Sequence, residues 1–235
     1  MKVNLPHFYA PEIETHPFLE GEEFKHCIKV LRKKPGDQIA VMNGCGTIFE
    51  SEIINVQKDK SELKILKKTT IPKKAFKVHL VIAPTKNADR IEWMVEKACE
   101  LGLDEITFIQ TQNSERAKLK TERLEKKAIS ALKQSKTGYK LQINSLIRFS
   151  DFIQNNTADH KFIAIVEDGL PYFMELLQRD KDCTVLIGPE GDFSEEEVKR
   201  ATDKGFKKIS LGNATLRTET AGLIATHFVN VVNAY

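Results

Sequence analysis

Apolar residues along this chain follow two rhythms, and the change between them falls near residue 75. Upstream, Gln38 to Met42 reads as a strand and Asn43-Gly44 is a tight-turn pair. Thr47 to Val56 and Glu62 to Leu66 supply further β-type segments. Together they predict a small β-rich unit. Lys67-Lys68-Thr69-Thr70-Ile71-Pro72-Lys73-Lys74 is polar, basic and broken by proline, which predicts an exposed connection between a domain at 1–70 and another at 75–235.

Downstream, dense β-branched runs alternate with amphipathic stretches. Val78 to Ala83, Ile106 to Ile109, Phe162 to Val166, Thr184 to Ile187 and Ile209 to Leu211 are short and apolar, as parallel strands buried on both faces are. Ile91, Met94, Val95, Ala98 and Leu101 recur at helical spacing and stop at Gly102, and Leu124, Ala128, Ala131 and Leu132 form a second stripe. Ser194 with Glu197 three residues on announces a capped helix. A last helix, Glu219 to about Tyr235, is apolar almost all round, so it is expected to be buried in the core or against another subunit. The alternation predicts an α/β fold. His79 on a core strand and His227 in the last helix are read as packing residues.

Composition narrows the function. With 235 residues and 41% apolar content the chain can bury one large or two modest cores. The formal charge is only +3, from 36 basic and 33 acidic residues, so a nucleic-acid partner must be held by a local patch. The natural patch is Lys25, Lys29, Arg32, Lys33 and Lys34, joined by the basic connection; a solvated helix face explains such a run equally well. Cys27, Cys45, Cys99 and Cys183 lie far apart with no C-x-x-C pair, which predicts reduced thiols and no zinc site or other metal site. The start of the chain lacks the apolar run of a signal peptide and no stretch approaches a membrane span, so a cytoplasmic protein with no membrane segment is expected.

Candidate chemistry sits where strands end in glycine-bearing loops. In Leu186-Ile187-Gly188-Pro189-Glu190-Gly191-Asp192-Phe193, two glycines permit close backbone approach to a ligand, and the Lys-Ser/Thr pair of a triphosphate loop is missing. Leu211-Gly212-Asn213-Ala214-Thr215-Leu216-Arg217-Thr218-Glu219-Thr220-Ala221 places Arg217 beside the N-terminus of the last helix. A cation there is mildly unfavourable, by about 0.3–1 kcal/mol, unless an anion compensates, which makes Arg217 a functional candidate. Glu190 and Glu219 are possible bases; a loop-ordering role for the first and a first-turn helix carboxylate for the second are equally open.

Leu-Ile-Gly-Pro-Glu-Gly with Phe193, followed by Leu-Gly and Leu-Arg-Thr-Glu-Thr-Ala, resembles the RsmE family. The resemblance extends to His26 with Val30-Leu31-Arg32, Gly36-Asp37, Lys86, Glu92-Trp93, Glu100-Leu101-Gly102, Ser114-Glu115-Arg116 and Gln134-Ser135. It implies a methyltransferase that uses S-adenosylmethionine to methylate N3 of a uridine in 16S rRNA, within the small ribosomal subunit. It further implies a SPOUT-type α/β domain with a C-terminal trefoil knot, a small N-terminal PUA-like β-barrel domain that holds RNA, and a homodimer. On the same basis Leu186, Ile187, Gly188, Pro189, Glu190, Gly191, Leu211, Gly212, Leu216, Arg217 and Thr218 are expected around the cofactor, and Arg116 and Lys136 join the RNA-binding residues. Arg217, Glu219 and Glu190 are the catalytic candidates. Asp192 stands where the family has a second glycine, Lys136 and Lys140 where it has an arginine and a proline, and Pro6-His7-Phe8 lacks an early arginine. A non-catalytic RNA-binding ribosome-assembly factor that kept the fold is the rival reading; binding of S-adenosylmethionine separates the two.

Overall fold

The computed structural model describes residues 5–116 and 118–234. They divide into two compact units, one drawn from Met1–Lys73 with Leu132–Lys140, the other from Lys74–Ala131 with Leu141–Tyr235.

In the first unit, β1 (His7–Tyr9), β2 (Phe18–Glu20), β3 (Gln38–Met42), β4 (Thr47–Val56) and β5 (Lys60–Thr70) form one sheet in the order β1-β3-β4-β5-β2. The pair β1–β3 is parallel and the other three are antiparallel. A short helix α1 (Gly21–Lys25) runs directly into a π-helical turn, His26–Val30. Phe8, Leu19, Ile39, Val41, Phe49 and Ile53 fill the core. Asn43 makes the β3–β4 turn because its side-chain oxygen accepts the N–H groups of Cys45 and Thr47, at 2.9 and 3.1 Å. Gly44 supplies the left-handed backbone there, φ +75°.

The basic connection departs from its expectation. Lys67–Thr70 are not a linker: they continue β5, paired with Thr47–Glu50. The backbone ladder to the ten-residue β4 overrides the local polarity, and Lys67 and Lys68 face carboxylates of Glu50 and Glu14.

The second unit is built on a six-stranded parallel sheet in the order β11-β9-β10-β6-β7-β8. Its strands are β6 (Val78–Ile82), β7 (Glu105–Gln110), β8 (Gln142–Arg148), β9 (His160–Ala164), β10 (Cys183–Ile187) and β11 (Lys207–Ile209). The intervening helices are α2 (Ala88–Glu100), α3 (Thr121–Ser135), α4 (Phe149–Asn155), α5 (Phe173–Leu176), α6 (Glu195–Asp203) and α7 (Thr218–Ala234). β10 lies between β9 and β6, and all five of its residues are buried. Its side chains alternate between two cores, Cys183, Val185 and Ile187 on one face and Leu186 on the other. The α2 start is capped by Asn87, which accepts from the Asp89 N–H at 2.8 Å, and α6 opens on a complete capping box between Ser194 and Glu197.

α7 packs against this sheet so closely that a Cβ at Gly222 would lie 3.0 Å from Ile82 Cδ1. His227 is exposed on α7 and does not pack into this unit's core, toward which α7 turns the face carrying Ala221, Gly222, Ala225, Thr226 and Val229. Among the described residues no helix is long and apolar enough to cross a membrane. All four cysteines are free; burial pushes the thiols of Cys99 and Cys183 up to about 12.

Candidate active site

Parallel strands put all their carboxyl ends on one side of the sheet, and there the loops after β9, β10 and β11 enclose a cavity of about 980 Å³. Ile187, Gly188, Pro189 and Glu190 form one wall, and Leu211, Gly212, Leu216, Arg217 and Thr218 another. The two glycine-bearing loops therefore face a single space. Of the remaining expected residues, Leu186 is fully buried in the sheet below, and Gly191 packs toward Asn113 rather than lining the cavity.

Each wall is held by specific bonds. Glu190 Oε1 accepts the Lys86 backbone N–H at 3.1 Å, which ties the loop after β10 to the loop after β6. Asn113 donates to the carbonyls of Gly191 and Asp192, both at 3.0 Å. Asp192 adopts φ +57°, the conformation that explains a glycine at this place; an aspartate tolerates it because its Oδ1 accepts the next backbone N–H, from Phe193, at 2.8 Å. A Cβ on Gly188 would lie 3.2 Å from Asp192 Oδ1 and from the Phe193 ring, so the tight packing of this loop on itself is met by a residue without a side chain. On the other wall Gly212 takes φ +142°, and Ser210 Oγ braces it by accepting its N–H at 3.2 Å.

Arg217 is exposed at the cavity edge; its backbone carbonyl accepts the Ala221 N–H at 2.8 Å, and its side chain makes no hydrogen bond or ion pair among the described residues. Glu219 behaves differently. It is only 6% exposed and does not line the cavity; its Oε1 lies 3.7 Å from Arg90 Nε, and its Oε2 has no partner among the described residues.

The sequence motifs leave a third wall unannounced. Val166, Glu167, Asp168, Gly169, Leu170 and Tyr172, following β9, complete the enclosure, and the Tyr172 hydroxyl donates to Asn213 Oδ1 on the opposite loop. The segment Glu167-Asp168-Gly169 is a turn signal directly after a predicted strand, and that placement is the one sign by which it could be found.

The RNA-binding candidates are distributed. Lys25 pairs with Glu22 at 2.8 Å, and the Lys34 backbone N–H is taken by Asp37. Lys29, Arg32 and Lys33 make no side-chain bond among the described residues. Arg116 turns its Nε onto the Thr85 carbonyl at 3.0 Å and its terminal nitrogen onto that of Lys86, so it braces the loop after β6. Lys136, with φ +58°, ends α3 and lies near His7, whose pKa is lowered by burial and then by that lysine.

At the opposite, amino-terminal ends of the strands a second cavity of about 1000 Å³ is floored by a polar cluster. His79 Nε2 meets Thr107 Oγ1 at 2.8 Å, Asn144 donates to Thr107 Oγ1 at 2.8 Å and to Glu105 Oε1 at 2.6 Å, and Lys77 pairs with Glu105 Oε2. Burial lowers the His79 pKa to about 4, against the pull of Glu105, so the imidazole is neutral at neutral pH. His79 thus belongs to a hydrogen-bonded cluster rather than to plain apolar packing.

The RNA methyltransferase domain matches residues 72–230, and the RNA methyltransferase PUA domain matches residues 19–66. The chain belongs to the RNA methyltransferase family. Among relatives of this RNA methyltransferase, the ribosomal RNA small subunit methyltransferase E of Bacillus subtilis is 29% identical over 231 residues, covering 91% of this chain and 90% of that one. A probable rRNA-methyltransferase from Porphyromonas gingivalis superposes with a TM-score of 0.92 at 38% identity, over 98% of this chain and 99% of its own. A Legionella pneumophila protein described as a methyltransferase, solved with the cofactor SAM bound, superposes with a TM-score of 0.87 at 27% identity, over 98% and 99% of the two chains. The likeness to the RsmE family read from the sequence is in keeping with all three.

Proposed function

We propose that this RNA methyltransferase binds S-adenosylmethionine in the cavity at the carboxyl ends of β9, β10 and β11 and methylates N3 of a uridine in 16S rRNA of the small ribosomal subunit. The observation that carries the reading is the meeting of the 186–191 and 211–218 loops around one space, with the Arg217 side chain unpartnered at its edge among the described residues. The SAM-bound Legionella relative and the small-subunit activity named for the Bacillus relative support the donor and the RNA class.

The residues fit the donor. Gly188 and Gly212 line the cavity without side chains, and the cavity lacks the lysine-bearing phosphate loop a nucleoside triphosphate needs. When bound, the donor supplies a sulfonium methyl that is already activated, so the chain's contribution is alignment and charge. Arg217 lies where its permanently charged, planar guanidinium can pair with the uracil oxygen that becomes negative as N3 loses its proton, or fix a neighbouring phosphate. Of the two carboxylates, Glu190 lines the cavity and is the one within reach of a proton; Glu219, buried beside Arg90, positions the start of α7.

The first compact unit, which takes in Leu132–Lys140 besides the expected domain at 1–70, holds RNA in this reading, and the rest of 75–235 carries the chemistry. Homodimerisation, a cytoplasmic setting and trefoil threading of the C-terminal chain belong to the same proposal. The test is to incubate small subunits lacking the modification with the protein and labelled donor, then to map the product by mass spectrometry. A methyl on N3 of one uridine is expected, and Arg217→Ala should keep donor binding while turnover falls about 100-fold or more. Absence of donor binding by calorimetry overturns the enzymatic reading in favour of a non-catalytic RNA-binding factor.

A further inference from the structure

The turn after α1 joins three features seldom found together. Val30 is 66% exposed and Leu31 41%, although both are large and aliphatic. They stand at the tip of the π-helical turn, where the Leu31 N–H reaches back to the His26 carbonyl at 2.9 Å and the Lys33 N–H to that of Cys27 at 3.1 Å. The next residue, Arg32, adopts φ +54°, a left-handed backbone that a long side chain rarely takes. Wide turns and left-handed non-glycine residues persist where the surroundings enforce them, and they concentrate at working surfaces.

Its base is well anchored. Cys27 is fully buried in the core of the first unit, and beyond the turn the Asp37 carboxylate accepts the Lys34 N–H at 2.9 Å while the Gly36 N–H bonds the Ile53 carbonyl at 2.8 Å. The two aliphatic side chains are thus presented on a fixed mount. Charge identifies the partner. Lys29 precedes the pair, Arg32 and Lys33 follow it, and none of the three makes a side-chain bond among the described residues. Elsewhere in this unit Lys25, Lys67, Lys68 and Lys133 are paired with Glu22, Glu50, Glu14 and Glu23.

We infer that Val30 and Leu31 form an aliphatic wedge that packs against unstacked bases of single-stranded RNA while Lys29, Arg32 and Lys33 hold the flanking phosphates. The inference rests on the proposed RNA substrate and adds an apolar contact with bases to a surface otherwise read by charge alone. Apolar side chains entering a base step, set between cations on the backbone, are a general way for proteins to hold opened nucleic acid. A duplex exposes a base face to such a wedge only at the cost of unstacking a base step, so the single strand is preferred.

The experiment is fluorescence anisotropy of the full chain with a labelled single-stranded RNA of mixed sequence, with its duplex, and with the same strand carrying abasic positions. The wild type should prefer the single strand and lose affinity when bases are removed. Val30→Ser/Leu31→Ser removes the apolar area buried against the bases and should weaken single-strand binding about 10-fold with its salt slope unchanged. Lys29→Gln/Arg32→Gln should weaken binding to both forms and lower the log–log salt slope by about 0.7–0.9 for each phosphate no longer neutralised. Unchanged thermal melts confirm that the exposed substitutions leave the fold intact. Wild-type single-strand affinity in the Val30/Leu31 variant, or an equal loss on the duplex, overturns the wedge and leaves the RNA reading standing. A wild type that binds none of the RNAs removes both.

Discussion

The two ends of the six-stranded sheet carry cavities of nearly equal size, about 980 and 1000 Å³, yet their walls are built on opposite principles. At the amino-terminal end the polar side chains are spent on one another: His79, Thr107, Asn144, Glu105 and Lys77 form a connected cluster. At the carboxyl-terminal end the walls are largely loop backbone, and the cation at the edge, Arg217, has no partner among the described residues. Volume alone does not separate the two. What separates them is whether hydrogen-bonding capacity is already used up, because a satisfied cluster stabilises the fold and an unsatisfied one is available to a ligand.

The contrast is broken most forcefully at Gly188. Gly188→Val sets a side chain against Asp192 Oδ1 and the Phe193 ring, so the loop that walls the carboxyl-end cavity must shift, and S-adenosylmethionine binding should weaken on the order of 100-fold, read by calorimetry. Donor affinity near wild type would mean that the ligand lies elsewhere. At the other end Glu105→Ala strips Lys77, Asn144 and Gln142 of an acceptor. It should cost about 2 kcal/mol, a melting temperature lower by about 4–8 °C, with donor affinity unchanged. A drop in affinity without one in stability would reverse the roles of the two ends.

A third expectation concerns pH. His79 has a folded pKa of about 4, below its ordinary value of 6.5, so as pH falls the unfolded chain takes up the proton first. Stability that is complete above pH 6.5 should therefore drain as the pH drops toward 4, at up to about 1.4 kcal/mol per pH unit. Burial pushes Glu105 up, but Lys77, His79 and Asn144 hold it below the ordinary carboxylate value, so it adds a loss of the same sign at still lower pH. Chemical denaturation across this range checks the slope, and His79→Gln should flatten it between pH 6.5 and 4. An unchanged slope in that variant would take the histidine out of the account. The smallest effect is expected from Tyr172→Phe, which removes the hydroxyl donated to Asn213. Donor affinity should fall by about 2- to 10-fold, the worth of one hydrogen bond.

Much of this architecture could be read from residue order, for identifiable reasons. β3 and β4 were legible because β3 is an unbroken apolar run, the middle of β4 alternates, and Asn43-Gly44 sits between them. β10 was legible because burial on both faces demands an unbroken apolar run. β8 was missed: at the sheet edge it alternates only weakly, with Gln142, Asn144 and Ser145 among its residues. α4 and α5 are short, with seven and four residues, too few to show a helical stripe. Lys67–Thr70 were misread because a strand paired to a long neighbour can carry lysines that local polarity assigns to a linker. At the site, both glycine-bearing loops announced themselves, whereas the wall from Val166 to Tyr172 carries no ligand motif and closes the cavity only through the sheet order that places β9 beside β10 and β11. Burial also distinguishes Glu219 from Glu190, a difference in depth that spacing along the chain does not express.

The central claim, that the carboxyl-end cavity is the donor site, is tested most directly by a crystal structure of the protein grown with S-adenosylmethionine. The account predicts donor density between the 186–191 and 211–218 loops, with the amino-end cavity free of it. Density at the amino-end cavity beside His79 and Glu105, with the carboxyl-end loops unoccupied, would contradict it.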